Sequence, residues 1–309
     1  SKFLVDAYFT EHEPKAKYMM GSSDPESLSL KEAAPDISAY CGEPLGYALG
    51  NGYLPLREKL TSLYKSLTPD NIAMMNGGEE TIYVTMRALL KPGDEIVVQM
   101  PLYQSLFVIA KEIGCRIIEY RPGFEDSWKF SLQALKSKIT PSTKLIILNY
   151  PHNPTGACLT DKDMRDIVEL CREHDLYLVS DEMYRFLRID ESCSDASFAD
   201  VYEKCVALGS FSKTFAAPGL RLGWVAVKDP DIMRTLLAYR HFTSTCSNLP
   251  CQWIANELMN RKDEIISRNN EIIKKNALLL SEFIERHSNM FAFIPPKGAT
   301  MAYVRLLNG

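Results

Sequence analysis

From about Asn71 to Val227, short apolar runs rich in β-branched residues alternate with segments whose apolar positions recur at helical spacing. Residues 96–99, 144–148, 177–180, 205–208 and 224–227 predict strands. Most lack a polar residue at every second position, which is the pattern of strands covered on both faces. Between them, Thr160 and Asp163 form a capping box ahead of Met164, Ile167, Val168 and Cys171, at i, i+3, i+4 and i+7. Ile82, Met86, Leu89 and Leu90 outline a second helical face, closed by the turn residues Lys91-Pro92-Gly93-Asp94. Strand and helix in alternation predict an α/β domain on a largely parallel sheet, expected over residues 46–247.

The flanks read differently. Residues 1–45 show no strand alternation and predict an N-terminal helix and an extended arm. After Asn248, Ile265, Ile272 and Leu279 recur every seven residues in a long, charged, nearly Pro-free segment. Residues 248–309 are therefore expected to hold one or two long helices that lead into a smaller domain.

Composition narrows the function classes. With 309 residues and 46% hydrophobic content, the chain can bury a large core in one or two domains. A net charge of -4, with acids and bases mixed along the length, lacks the basic footprint of a nucleic-acid partner. No apolar run approaches the roughly 18 residues of a membrane span. The first ten residues carry neither a basic leader nor a small-residue cleavage site, so no signal peptide is expected. The eight cysteines are scattered and form no CxxC. Neither a metal site nor a disulfide framework is expected, and reduced thiols in a cytoplasmic enzyme are the simpler reading.

Four strings carry candidate chemistry. In Ser210-Phe211-Ser212-Lys213-Thr214-Phe215-Ala216-Ala217-Pro218-Gly219-Leu220-Arg221-Leu222-Gly223-Trp224, a lysine sits in a largely apolar loop between two buried strands. Such a seat disfavours an ammonium and makes Lys213 a candidate Schiff-base nucleophile. Arg221 offers a bidentate fork for phosphate, and Ser210 and Ser212 offer hydroxyls. Asn149-Tyr150-Pro151-His152-Asn153-Pro154-Thr155-Gly156 follows an apolar run, a loop at the carboxyl edge of a sheet where open α/β folds bind ligands. Asp181, at the end of a buried strand in Ser180-Asp181-Glu182-Met183-Tyr184, must meet a cation or be protonated, unless it caps a turn. In Asn76-Gly77-Gly78-Glu79-Glu80-Thr81, a Gly-Gly turn opens a helix whose N–H groups suit an anion.

Together these strings resemble the class I/II aminotransferases of pyridoxal-phosphate (PLP) fold type I, the aspartate-aminotransferase-like group. The pattern S-x-S-K-x-x-x-x-P-G-x-R-x-G is matched at every fixed position, and six elements between Tyr47 and Trp224 occur in the family's order. The resemblance implies a large domain with a mostly parallel sheet between helices, plus a smaller C-terminal domain. It implies PLP held by Lys213 as an internal aldimine, its phosphate on Arg221, Ser210, Ser212 and the backbone of Gly78 and Glu79. Asp181, 28 residues after Asn153 and 32 before Lys213, would pair with the pyridine nitrogen, while Asn153 and Tyr184 would reach the phenolic oxygen. Tyr103 of Pro101-Leu102-Tyr103 would stack on the ring. Tyr47, ahead of Gly50-Asn51-Gly52 and Leu56-Arg57, would reach the phosphate of a neighbouring subunit in a homodimer. For Tyr47 and Tyr103, plain core packing is the competing reading. His152 reads as a loop residue, since the family moves protons with its lysine. Glu79 stands where the family has a small residue.

The implied reaction transfers an amino group from an amino acid to a 2-oxo acid. Three alternatives stay open: a PLP-dependent lyase, an arginine oxidase or cyclase of the capreomycidine-synthase-like kind, and a catalytically silent PLP-binding module. No equivalent of the family's carboxylate-gripping arginine is evident. Arg305 comes too early in the pattern, and Lys297-Gly298-Ala299-Thr300 is expected to begin the small domain's sheet. The C-terminal domain is accordingly expected to be incomplete.

Overall fold

The computed structural model describes residues 3–307; Ser1, Lys2, Asn308 and Gly309 lie outside the described residues. Helices run at α1 (Leu4–His12), α2 (Leu30–Ala33), α3 (Leu54–Leu60), α4 (Gly77–Leu89), α5 (Ser105–Ile113), α6 (Leu132–Lys136), α7 (Asp161–Glu173), α8 (Pro230–Arg240), α9 (Leu249–Leu258) and α10 (Lys262–Arg286). Strands run at β1 (Ile72–Met75), β2 (Glu95–Gln99), β3 (Arg116–Tyr120), β4 (Thr143–Asn149), β5 (Tyr177–Asp181), β6 (Cys205–Ser210), β7 (Gly223–Ala226), β8 (Phe291–Phe293) and β9 (Val304–Leu306).

Seven strands form one sheet in the order β1-β7-β6-β5-β4-β2-β3. Strands β2 to β6 pair in parallel, and β7 is antiparallel to both of its neighbours. The double coverage expected of the apolar runs is visible in β4. Ile146 and Leu148 join a core with Met164, Ile167, Val168 and Cys171 of α7. Leu145 and Ile147 point the other way, into a core with Ile82 and Met86 of α4 and Leu106 and Ala110 of α5. Each such side chain contributes about 1.5–3 kcal/mol by leaving water. The capping box at the head of α7 forms as read: Thr160 Oγ1 accepts from Asp163 N at 3.2 Å, and Asp163 Oδ2 accepts from Thr160 N at 2.9 Å.

The long helix expected after Asn248 is present as the 25-residue α10, and two other expectations are corrected. On α10 the buried positions are Ile265, Asn269, Ile273 and Ile284, and Leu279 is 53% exposed. The seven-residue repeat drifts relative to the 3.6-residue helical period, so it leaves the buried face along the helix. Cys158 and Cys193, 35 residues apart, are joined as a disulfide with their Cα atoms 5.4 Å apart. Spacing along the chain gave no hint of this, because the pair meets only through the fold. Lys297 to Thr300 do not open the small sheet, which consists of the antiparallel pair β8–β9. Instead Lys297 N and Gly298 N both donate to Gly156 O, and Ala299 N donates to Leu187 O, strapping this segment onto the large domain's loops. A Cβ at Gly298 would lie 2.7 Å from Leu187 O, so the glycine serves close backbone approach.

Among the described residues, no helix is long and apolar enough to cross a membrane, and no group of three or more His, Cys, Asp or Glu could hold a metal ion.

Candidate active site

The parallel strands end on one edge, and β4 and β5 are in register there with Asn149 opposite Asp181. Above this edge lies a cavity of about 350 Å³, large enough for a small ligand. It is lined by Gly78, Glu79, Tyr103, Asn153, Asp181, Tyr184, Ser210, Ser212, Lys213 and Arg221, every residue singled out from sequence except Tyr47. Tyr47 is 91% exposed on the surface loop before α3 and takes no part in this chain's own cavity.

Each wall has a local cause. Along 210–215 the chain turns Phe211 and Phe215 inward against Trp224, with ring centroids 5.4, 5.2 and 6.3 Å apart, and leaves Ser210, Ser212 and Lys213 facing the cavity. Ser210 Oγ accepts from Ser212 N at 2.9 Å, which tightens the loop. Arg221 adopts a left-handed backbone (φ 46°), a conformation that costs a non-glycine residue about 1 kcal/mol or more. Its guanidinium comes to rest against the start of α4, where a Cβ at Gly77 would lie 2.9 Å from Arg221 Nη2. Gly77 itself has φ 76°, so glycine is needed there twice over. The first-turn N–H groups of the 13-residue helix α4, with no partners inside the helix, thus stand next to an arginine and two hydroxyls. This is the donor set a phosphate dianion requires.

Asp181 and Glu182 are adjacent buried acids with opposite circumstances. Glu182 pairs with Arg185 at 2.8 Å and also accepts from Ser180, Ser197 and Phe198 N. It is a satisfied structural ion. Among the described residues, the Asp181 carboxylate accepts one hydrogen bond, from Met183 N at 3.0 Å. Burial pushes its carboxyl up to about 7, only partly offset by that donor, and Glu182 and Glu79 add to the rise. A buried carboxylate with one backbone donor is short of a cationic partner, and a pyridinium N–H is such a partner.

Tyr184 is buried beside Asn153, whose Nδ2 donates to the phenol at 3.3 Å; burial raises the phenol's pKa, so it stays a donor. Lys213, expected in a largely apolar loop, finds polar partners across the cavity. Its Nζ donates to Ser23 Oγ at 2.8 Å and to the Asp24 carboxylate, both on the arm between α1 and α2. Tyr103 OH donates to Glu79 Oε1, so the Glu79 side chain swings aside and leaves its backbone at the helix start.

His152 is buried outside this lining. Nε2 lies 2.8 Å from Pro101 O, which can only accept, so Nε2 carries the proton and Nδ1 accepts from the Thr155 hydroxyl at 2.6 Å. Burial holds its pKa down to about 4, and the ring acts as a neutral clasp between two loops.

Several lining residues were not foreseen: Asn149, Met183 and the arm residues Ser22, Ser23 and Asp24. Asn149 is a hub. Its N–H donates to Gln99 Oε1 at 3.0 Å, its Nδ2 to Asp181 O at 3.0 Å, and its Oδ1 accepts from Asn153 N at 2.8 Å. An asparagine closing an apolar run four residues before Asn153 was the available signal. For the arm, the signal was the turn-forming run Gly21-Ser22-Ser23-Asp24-Pro25.

The family pattern described as aminotransferase class I and II matches residues 17–308. The chain belongs to the class I and II aminotransferase family, with the fold of PLP fold type I. Among solved aminotransferases it is similar to a PLP-dependent aminotransferase from Streptococcus suis, at TM-score 0.92 and 29% identity, covering 99% of this chain and 83% of that one. It is also similar to Thermus thermophilus aspartate aminotransferase with maleate, at TM-score 0.86 and 25% identity, covering 96% and 79%. Among curated aminotransferases, aromatic-amino-acid aminotransferase 2 of Thermococcus litoralis is 30% identical over 71% of this chain and 61% of its own length. Arginine–pyruvate transaminase of Pseudomonas aeruginosa is 31% identical over 58% and 47%. The chain thus spans about half to three fifths of the length of the curated relatives it matches.

Proposed function

We propose that this chain forms the cofactor site of a PLP-dependent aminotransferase that moves an amino group from an amino acid to a 2-oxo acid, with Lys213 as the residue that bonds the cofactor. The observation that carries this reading is the placement of Asp181, a buried carboxylate short of a cation, in one cavity with Lys213, Arg221 and the α4 N-terminus. Bound there, PLP supplies an electron sink for the charge left when the amino acid loses its α-proton.

The protein's own groups divide the remaining work. Asp181 presents an anionic oxygen to the ring N–H and keeps that proton in place. Arg221, Ser210, Ser212 and the N–H groups of Gly78 and Glu79 hold the phosphate. Asn153 and Tyr184 donate to the ring's phenolic oxygen, with Asn153 fixed by Asn149. Tyr103 offers its face to the ring. Lys213 Nζ is both the point of attachment and, once released, the base that takes the α-proton and returns it. Tyr47, free on the surface, reaches the phosphate of a second copy, which makes the working unit a homodimer.

The test has two parts. Borohydride reduction of PLP-loaded protein should place a pyridoxyl label on the peptide containing Lys213. A titration with a panel of amino acids should convert the bound cofactor to its amine form without release of ammonia or peroxide. A label elsewhere refutes the site. Ammonia or peroxide release refutes transamination in favour of a lyase or oxidase, and a spectrum indifferent to every amino acid marks a silent module.

A further inference from the structure

In the aminotransferase reading, on which this inference rests, Lys213 spends part of each cycle released, as an amine that must work as a base. The structure shows a seat for that amine. Nζ crosses the cavity to the arm between α1 and α2, donating to Ser23 Oγ at 2.8 Å and to Asp24 Oδ1. Ser23 is also a hydrogen-bond partner of the Tyr184 phenol, so the seat adjoins the group assigned to the cofactor's phenolic oxygen.

Both the carboxylate and the arm that carries it are held. Asp24 Oδ2 accepts from Ser22 Oγ at 3.2 Å, and Ser22 Oγ accepts from Asp24 N at 3.2 Å, which leaves Oδ1 for the lysine. Three hydrogen bonds tie the arm to the rest of the fold: Thr300 Oγ1 donates to Ser23 O at 2.6 Å, Arg268 Nη1 to Glu26 O at 3.0 Å, and Leu28 N to Ala216 O at 2.9 Å. The Lys213 side chain is 20% exposed and that of Asp24 42%, so water screens the pair in part.

We propose that Ser23 and Asp24 are positioning residues for the released Lys213: they hold its nitrogen on the Tyr184 side of the cavity and stabilise the charge it gains as a base. Lys213 leaves this pair when it bonds the cofactor and returns to it when a donor releases it, so the seat is filled in the steps where Lys213 moves a proton. The donor's α-C–H bond breaks, its proton joins the neutral Lys213 amine to make an ammonium, and the electron pair stays on the donor side. The Asp24 carboxylate meets that ammonium as it forms. A contact stronger to the ammonium than to the amine lowers the barrier between them. Once the ammonium gives its proton back, the amine is neutral and free to leave the seat.

The experiment compares the wild type with Asp24→Asn and Ser23→Ala, first on protein prepared without PLP. Trace acetylation with acetic anhydride, read by peptide mass spectrometry, reports how available Nζ is. Relative to the other lysines, Lys213 should label roughly fivefold faster in Asp24→Asn, and about twofold faster in Ser23→Ala. On the PLP-loaded protein, the standard amino acid that reacts fastest is then supplied with hydrogen or deuterium at Cα. Asp24→Asn should lower kcat roughly fivefold and Ser23→Ala about twofold. The α-deuterium effect on kcat should be at least as large as in the wild type, because the step slowed is the proton transfer. Unchanged Lys213 labelling, an unchanged kcat, or a lower kcat with a diminished isotope effect overturns this inference and leaves transamination standing. A wild type that converts no amino acid overturns both.

Discussion

Asp181→Asn removes the charge of the buried carboxyl while keeping an oxygen for the Met183 N–H. The perturbation should be read on cofactor-free protein, where no ring nitrogen is present to meet the carboxylate. Burial raises the folded-state pKa from the ordinary 3.8 to about 7, so between these values the folded chain holds a proton that the unfolded chain has lost. Stability from this group is therefore fully present below about pH 4 and declines as pH rises through 7. At about 1.4 kcal/mol per pH unit, the wild type should lose roughly 2–3 kcal/mol between about pH 5 and pH 8 from Asp181 alone, on the way to a total near 4 kcal/mol. The amide of the variant has no proton to lose. Urea unfolding of both proteins at the two pH values gives the difference directly, and other titrating groups cancel in it. The variant should gain on the wild type by that 2–3 kcal/mol as pH rises. An unchanged difference would show that Asp181 is solvated or paired in the free protein, and the argument for a waiting cationic partner would fail.

Two further outcomes follow from neighbouring features. Gly77→Ala places a Cβ against the Arg221 guanidinium in a left-handed conformation; it should cost about 1–2 kcal/mol of stability and weaken PLP retention at least about tenfold, measured by equilibrium dialysis. His152 is a base whose folded pKa is lowered to about 4, so the unfolded chain binds the extra proton, and stability falls as pH drops from about 6.5 to 4 by up to roughly 3 kcal/mol. His152→Gln should flatten that acid limb in denaturation curves taken across the range.

The legible parts of this protein were those written in local pattern. The apolar runs located five strands to within two residues because each is buried on both faces and bounded by turns. Strands β1, β3, β8 and β9 are not legible as separate runs. β1 is only four residues long, and β3 is a sheet edge with Arg116 and Glu119 exposed, so its pattern is diluted. The residues gathered in the cavity were legible through the order and spacing of short strings. What escaped depends on contacts distant in sequence. Asn149 acts through Gln99 and Asp181, Asp24 reaches Lys213 across 189 positions, and Cys158 finds Cys193 only when two loops converge. No window of local sequence contains those partners.

The different fates of Asp181 and Glu182 follow from nothing more than being neighbours at the end of an extended run, where successive side chains leave on opposite sides. One faces the ligand space and the other the arginine beneath, so odd and even positions there carry different kinds of selection. A one-residue insertion upstream in β5 would keep both carboxylates in the protein but turn each to the opposite side. The short order Asp-then-Glu is thus a phase marker, and chemistry at this edge depends on that phase as much as on composition.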